Sequence, residues 1–449
     1  MAHMKTLIAL GLFLVSSSLW GVPQTILTLP HQEAKLDNGL RIYLVKYPSP
    51  NTVAYQLPVR VGSRHEIEKG KTGFAHFFEH LMFRGTKNMS GKEFGNLYAK
   101  IGAENNAWTW FDQTNYHGLV ATRFLPEVLG AEADRFMNLQ FDEKALRDEA
   151  GAVLGEYHKS VAQPEFQMEE TLLATAFHVH PYGHTTMGYK ADILKFSERY
   201  SDVWPFFRRY YRPNQVAVVL VGDIDFEKSM VLIKEKFSGW KDTGEPLPPI
   251  PKEPLQTEAR SAKITLKKPT QTRLTVAYKV PGFTTKNTDA AALGLLAEMA
   301  FSLTSEFQKT YRFGKQWLDS VSSAPLPMAD TGLWQIEVRF SQSGEGHTEE
   351  IKTAIENSIA QLRDVAVSQT RLRETKTRFK NAAMAEWFSN PNDLASKIAW
   401  YTNFEPDLDV INRVFAQIED VTPATIQEFA KQHLTDTQKT TVLLQGSQK

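Results

Sequence analysis

The segment Gly73-Phe74-Ala75-His76-Phe77-Phe78-Glu79-His80-Leu81-Met82-Phe83 carries two imidazoles and a carboxylate within five positions, with no helix breaker before Gly85. Positions four apart share a helix face, so His76 and His80 are spaced to reach one ion. Imidazole nitrogens suit zinc, and a nearby carboxylate suits activation of a bound water. Glu79 stands three positions after His76 and can approach such a water without being a ligand. Phe74, Phe77, Phe78 and Leu81 would bury the rest of the helix and dry the site. The bland alternative is an ordinary amphipathic helix that happens to carry two histidines and a glutamate.

Catalytic zinc usually has three protein ligands and one open position. The stretch Arg147 to Glu156 offers two carboxylates, Glu149 and Glu156, seven residues apart and so two turns along one helical face. One can bind metal while the other stands behind it, orienting a histidine or the substrate. Taken alone, the pair is better explained as a solvated acidic face. Cysteine is absent, which excludes disulfides, thiolate nucleophiles, Cys-based zinc sites and a lipid-anchored cysteine terminus.

Elements that would position these groups are visible on both sides. Strands are expected over Arg41 to Lys46 and Ala217 to Val221, and helices over Glu127 to Leu139 and Ile351 to Leu362. The segment Asp242 to Glu258 contains Pro246, Pro248, Pro249, Pro251 and Pro254, which neither helix nor central strand tolerates; it reads as an extended linker. The two sides of it resemble each other. Val53-Ala54-Tyr55 has a counterpart in Val276-Ala277-Tyr278. Phe206 to Tyr211, leading into Val216 to Val221, has one in Phe429 to Leu434, leading into Thr441 to Gln445. The offset stays at about 223 residues, which marks a duplication. The expected fold is α+β: two homologous α/β sandwich domains, 22–241 and 263–449, joined by the Pro-rich linker 242–262.

Among 449 residues, 51 are basic and 51 acidic, so no global field attracts nucleic acid or an anionic membrane, and neither is expected as a partner. Lys5, the apolar run Leu7 to Val15 and Ser16-Ser17-Ser18 follow the order of a secretory signal peptide, assigned to 1–21. The run is too short to span a bilayer. A periplasmic or secreted protein is expected.

His-x-x-Glu-His inverts the common zinc-protease order and is the signature of the inverzincins. Together with Glu156, 76 residues after His80, and Glu149 seven earlier, the pattern resembles the M16 family of pitrilysin and mitochondrial processing peptidase. Gly102-Ala103-Glu104-Asn105-Asn106-Ala107-Trp108-Thr109 is similar to that family's Gly-x-x-x-Asn-Ala-x-Thr segment. His180-Pro181-Tyr182-Gly183 and Val221-Gly222-Asp223 match further recurrent stretches.

The resemblance implies one Zn2+ per chain held by His76, His80 and Glu156, with Glu79 as general base in peptide hydrolysis and Glu149 as its catalytic support. It also implies an edge strand at Asn106-Ala107 that holds an extended peptide. Trp108 and Trp110 would share one face of that strand, as a pocket wall or as core. In the second half Met299, Ser302 and Leu303 stand where His76, Glu79 and His80 would recur, so no second metal site is expected. Relatives carry an Arg and a Tyr there that contact substrate; Arg312 matches the first, and the tyrosine is missing or displaced to Trp317. The chain resembles the zinc-bearing member of a two-chain peptidase, pairing with a homologous subunit that supplies Arg and Tyr, or with itself. The rival readings are a non-catalytic assembly subunit and a metal hydrolase acting on something other than peptides. Retention of all four site residues speaks against the first, and the edge-strand segment against the second.

Overall fold

The computed structural model describes residues 25–447 except residue 324. The stretch assigned to a signal peptide lies outside these residues. No helix among the described residues is long and apolar enough to cross a membrane.

The first sheet contains β1 (His31–Lys35), β2 (Arg41–Lys46), β3 (Thr52–Val59), β4 (Glu104–Thr109), β5 (Thr114–Ala121) and β6 (Ala217–Gly222). Its order is β1-β2-β6-β3-β5-β4, with β2 and β6 parallel and the other neighbours antiparallel. The second sheet contains β7 (Arg260–Leu266), β8 (Arg273–Val280), β9 (Leu318–Ser322), β10 (Gly332–Phe340) and β11 (Lys439–Gly446). Its order is β7-β11-β8-β10-β9, and again only one pair, β7 with β11, is parallel. With β1 set aside the two orders match strand for strand. Val53-Ala54-Tyr55 and Val276-Ala277-Tyr278 lie in the corresponding strands β3 and β8. The molecule is a two-domain mixed α/β fold with one sheet in each half. Residues 241–259 between the sheets form neither helix nor strand.

The first half carries α1 (Phe74–Leu81), α2 (Gly91–Ile101), α3 (Leu125–Asn138), α4 (Glu143–Val161) and α5 (Pro164–Ala176). The helix expected over Glu127 to Leu139 begins two residues earlier, because Pro126 sits in the first turn, where its missing N–H costs nothing. The one expected over Ile351 to Leu362 runs Thr348–Asp364. Asp142 caps α4 by accepting from the Ala145 N–H at 2.8 Å.

Alternation along β3 divides the packing. Val53, Tyr55 and Leu57 face the helices of their own half, including α1 and α3. Ala54 faces the other way, into a core shared with Leu394, Ala395, Ile398 and Ala399 of the helix Pro391–Phe404. Gln56 on the same face hydrogen-bonds Asn392 at 3.1 Å. The second half thus supplies the helix that covers the first sheet. The converse holds too: Met168, Leu172, Leu173 and Ala176 of α5 pack on Ala277, Leu333, Val442 and Leu444 of the second sheet. Leu394 and Ile398 are fully buried, and such side chains contribute about 1.5–3 kcal/mol each.

Candidate metal centre

Helix α1 starts from a tightly fixed N-terminus. Gly73 has φ +82°, and a Cβ there would lie 2.1 Å from the Met187 carbonyl oxygen; only glycine fits. The buried carboxylate of Glu66 accepts from the N–H groups of Gly73 (2.6 Å) and Ala75 (2.7 Å), two of the donors a helix start leaves unpaired. One face of the helix is locked by aromatics. Phe77 stacks on Phe196 at 4.6 Å and Phe78 lies 4.6 Å from Tyr211. The opposite face turns His76 and His80 toward α4.

The structure brings His76, His80 and Glu156 together. The two Nε2 atoms are 3.3 Å apart, and Glu156 Oε2 lies 3.5 Å from that of His80 and 3.7 Å from that of His76. A tetrahedral ion with bonds of about 2.0–2.2 Å has donor–donor edges of roughly 3.3–3.6 Å. The donor set therefore fits zinc in number, chemistry and spacing. Glu156 is half exposed, which leaves one side of the triad open to the cleft.

Glu149 stands behind it. Its Oε2 is 3.0 Å from His80 Nδ1 and its other oxygen meets Arg84. An ionised carboxylate only accepts, so His80 carries its proton on Nδ1 and presents a lone pair on Nε2. Burial, with His80 adding to it, pulls the His76 imidazole down to about 3. It is neutral at physiological pH, as a ligand must be.

Glu79 is buried on α1. Burial pushes its carboxyl up to about 6, against the opposing hydrogen bond that Thr109 Oγ1 donates to its Oε2 at 2.5 Å. Thr109 belongs to β4, the edge strand of the first sheet. Trp110 N–H donates to Gln113 O at the β4–β5 turn, so the bonded pairs continue at Trp108–Asn115 and Asn106–His117. Asn105, Ala107 and Thr109 then direct their N–H and C=O groups away from β5, toward the open edge. The Ala107 N–H is met there by the Asn106 side chain at 2.9 Å. Asn106 and Ala107 line, with His76, Glu79, His80 and Glu156, a cleft of about 960 Å³.

All the residues lining this cleft come from the first half. Arg312 is not among them. It sits in a π-helical turn, Gln308–Gly314, bonded to Gln308 at 3.1 Å and lying over the Phe313 ring. Trp317 stacks on His347 at 3.7 Å. Trp108 and Trp110 are partly buried and both lie against Trp400 of the covering helix, at 5.8 and 6.5 Å, while Trp110 also packs on Phe111 and lines a second cavity of about 650 Å³. Two contacts escaped the sequence reading. Arg84 is one turn beyond His80, a spacing that flags it. Thr109 shares a strand face with Ala107 by simple alternation, but its partner Glu79 is visible only in three dimensions.

Comparison with known proteins agrees with this geometry. Residues 41–190 match the model of the insulinase family, peptidase family M16, and residues 199–379 match that of the peptidase M16 inactive domain. The chain is 28% identical over 424 residues to the zinc protease PqqE of Helicobacter pylori, covering 92% of each sequence. It is 27% identical over 323 residues to a probable mitochondrial-processing peptidase subunit beta of Schizosaccharomyces pombe, covering 69% of each. The crystal structure of a protease from Helicobacter pylori superimposes with a TM-score of 0.86 at 26% identity, over 93% of this chain and 100% of that one.

Proposed function

The chain belongs to the M16 peptidase family, and from that premise we propose that it is a zinc-dependent endopeptidase acting on extended peptides or small unfolded polypeptides. The observation that carries the reading is the meeting of His76, His80 and Glu156 at the donor spacings of a tetrahedral ion, with a buried carboxylate beside them. Bound there, zinc would supply Lewis acidity toward a water and toward the peptide carbonyl. Glu79 accepts the proton of the attacking water and returns it to the leaving amine. Glu149 orients His80. The open edge of β4 binds the substrate backbone as an added strand, which gives affinity with little dependence on sequence.

A homologous partner chain completes the site in this reading. Support comes from the cleft, whose walls are built by the first half alone, and from Arg312, which stands outside it. The division into a catalytic domain at 22–241, a linker at 242–262 and a metal-free domain at 263–449 is part of the same proposal, as is export to the periplasm or the medium. Elemental analysis of protein purified without added metal, followed by peptide hydrolysis with and without a chelator, tests it. One zinc per chain and chelator-sensitive cleavage are expected; metal-free protein, or cleavage indifferent to chelator, overturns it.

A further inference from the structure

Thr109 sits where three requirements of the proposed reaction meet. Its hydroxyl donates to Glu79 Oε2 at 2.5 Å. The neighbouring hydroxyl cannot compete as a donor, because Thr114 Oγ1, 3.4 Å away, gives its single proton to the Val61 carbonyl at 2.9 Å. Thr109 therefore commits its own proton to Glu79. Its backbone, at a position not bonded to β5, presents N–H and C=O at the open strand edge.

We propose that Thr109 is a positioning residue: it fills one oxygen of Glu79, aims the other at the cleft, and ties the proton-accepting carboxylate to the strand that holds the substrate. Of the two carboxylate oxygens, Oε2 is occupied by the threonine hydroxyl. The water's proton then goes to Oε1 and leaves from Oε1 to the amine, so no rotation of the carboxyl is needed between the two transfers. A peptide pairing with β4 docks on the same residue that fixes the carboxylate. Substrate register and base orientation are thus set by one side chain and its own main chain. Among the described residues the Thr109 hydroxyl is the side chain that hydrogen-bonds the Glu79 carboxylate, so removing it frees the carboxyl to turn toward the polar groups of the cleft.

The assignment rests on the peptidase reading for its catalytic consequence, and the test separates the two. Zinc-loaded wild type, Thr109→Val and Thr109→Ser, each mixed with a homologous subunit, are compared in hydrolysis of an unfolded polypeptide, and the metal-loaded Thr109→Val protein is crystallised. Valine keeps the shape and removes the hydroxyl; serine restores it. Expected results are a kcat lowered about ten- to hundredfold in Thr109→Val, with KM within about twofold and zinc content unchanged, and recovery in Thr109→Ser. In the crystal, the Glu79 carboxylate of Thr109→Val should leave its wild-type orientation. A kcat within about twofold of wild type, or a Glu79 rotamer unmoved, overturns the assignment. If the wild type cleaves nothing even when mixed with a homologous subunit, the peptidase reading fails, and the Glu79 rotamer still decides the role of Thr109.

Discussion

Lys279 Nζ donates to Glu253 Oε1 at 3.0 Å, with both side chains only 3% exposed. Glu253 belongs to the linker, yet it also accepts from the N–H groups of Val179 (2.9 Å) and His180 (3.0 Å) in the first half, while Lys279 lies in β8 of the second. One linker carboxylate thus fastens both halves. Removing one member of a buried ion pair costs about 3–5 kcal/mol. Glu253→Ala should lose that much in denaturant unfolding at pH 7; a loss below about 1 kcal/mol would show the linker to be a passive tether. Burial by itself would raise the Glu253 carboxyl, but the backbone and Lys279 hydrogen bonds outweigh it and hold the group down at about 2. A depressed carboxylate stabilises fully above its unfolded value of about 4.3 and loses that contribution as pH falls through its folded one. Wild type should therefore shed its advantage over Glu253→Ala between about pH 4 and pH 2.

Glu79→Gln keeps the shape of the side chain and removes the base. Zinc content should stay at one per chain while hydrolysis falls about a hundredfold to ten-thousandfold. Cleavage at the wild-type rate would remove Glu79 from the reaction. In wild type the base must be ionised, and burial places its carboxyl at about 6. The rate should accordingly decline as pH drops through this region, with bound zinc moving the midpoint lower. A midpoint above about 7 in a kcat/KM profile would assign the acid limb to another group.

In the proposed function Glu149 orients His80 through the 3.0 Å contact of its Oε2 with Nδ1, without being a ligand. Glu149→Gln can still face Nδ1 but leaves Arg84 without its anion. Zinc affinity, measured by competition with a chelator, should weaken about ten- to hundredfold. An unchanged affinity would make the carboxylate a bystander.

The partner question has a direct readout. The isolated chain is expected to turn over peptide weakly or not at all and to gain activity on mixing with a homologous subunit. Robust turnover by the purified chain alone, with sedimentation showing a monomer, would end the two-chain reading.

The ligand helix was legible because the four-residue spacing of His76 and His80 has few other uses beside an adjacent Glu79. Glu149 and Glu156 were legible as one helical face, though their division into support and ligand came only with the family resemblance; in the structure Glu149 meets His80 Nδ1 and Arg84, and Glu156 lies beside the two Nε2 atoms. The repeat was readable from Val53-Ala54-Tyr55 and Val276-Ala277-Tyr278, and the paired sheets carry it. What covers each sheet was not readable. All but the first residue of Thr52–Val59 are buried, and a strand buried on both faces gives no clue to which element lies on which face. The Trp108–Trp400 contact is hidden for the same reason, since its partners are almost three hundred residues apart. Arg312 shows the opposite limit: a local match in residue type, with the surrounding spacing altered, does not bring a side chain to a distant cleft.

Each half of the molecule lends the other a helix, α5 in one direction and Pro391–Phe404 in the other. Neither half is therefore self-sufficient. A gene cut within the linker would yield two fragments, each presenting a bare apolar sheet face to water, and each prone to aggregate when made alone. Produced together, they would be expected to find one another and rebuild the whole, because the exchanged helices recognise their sheets without any help from the peptide bond that once joined them.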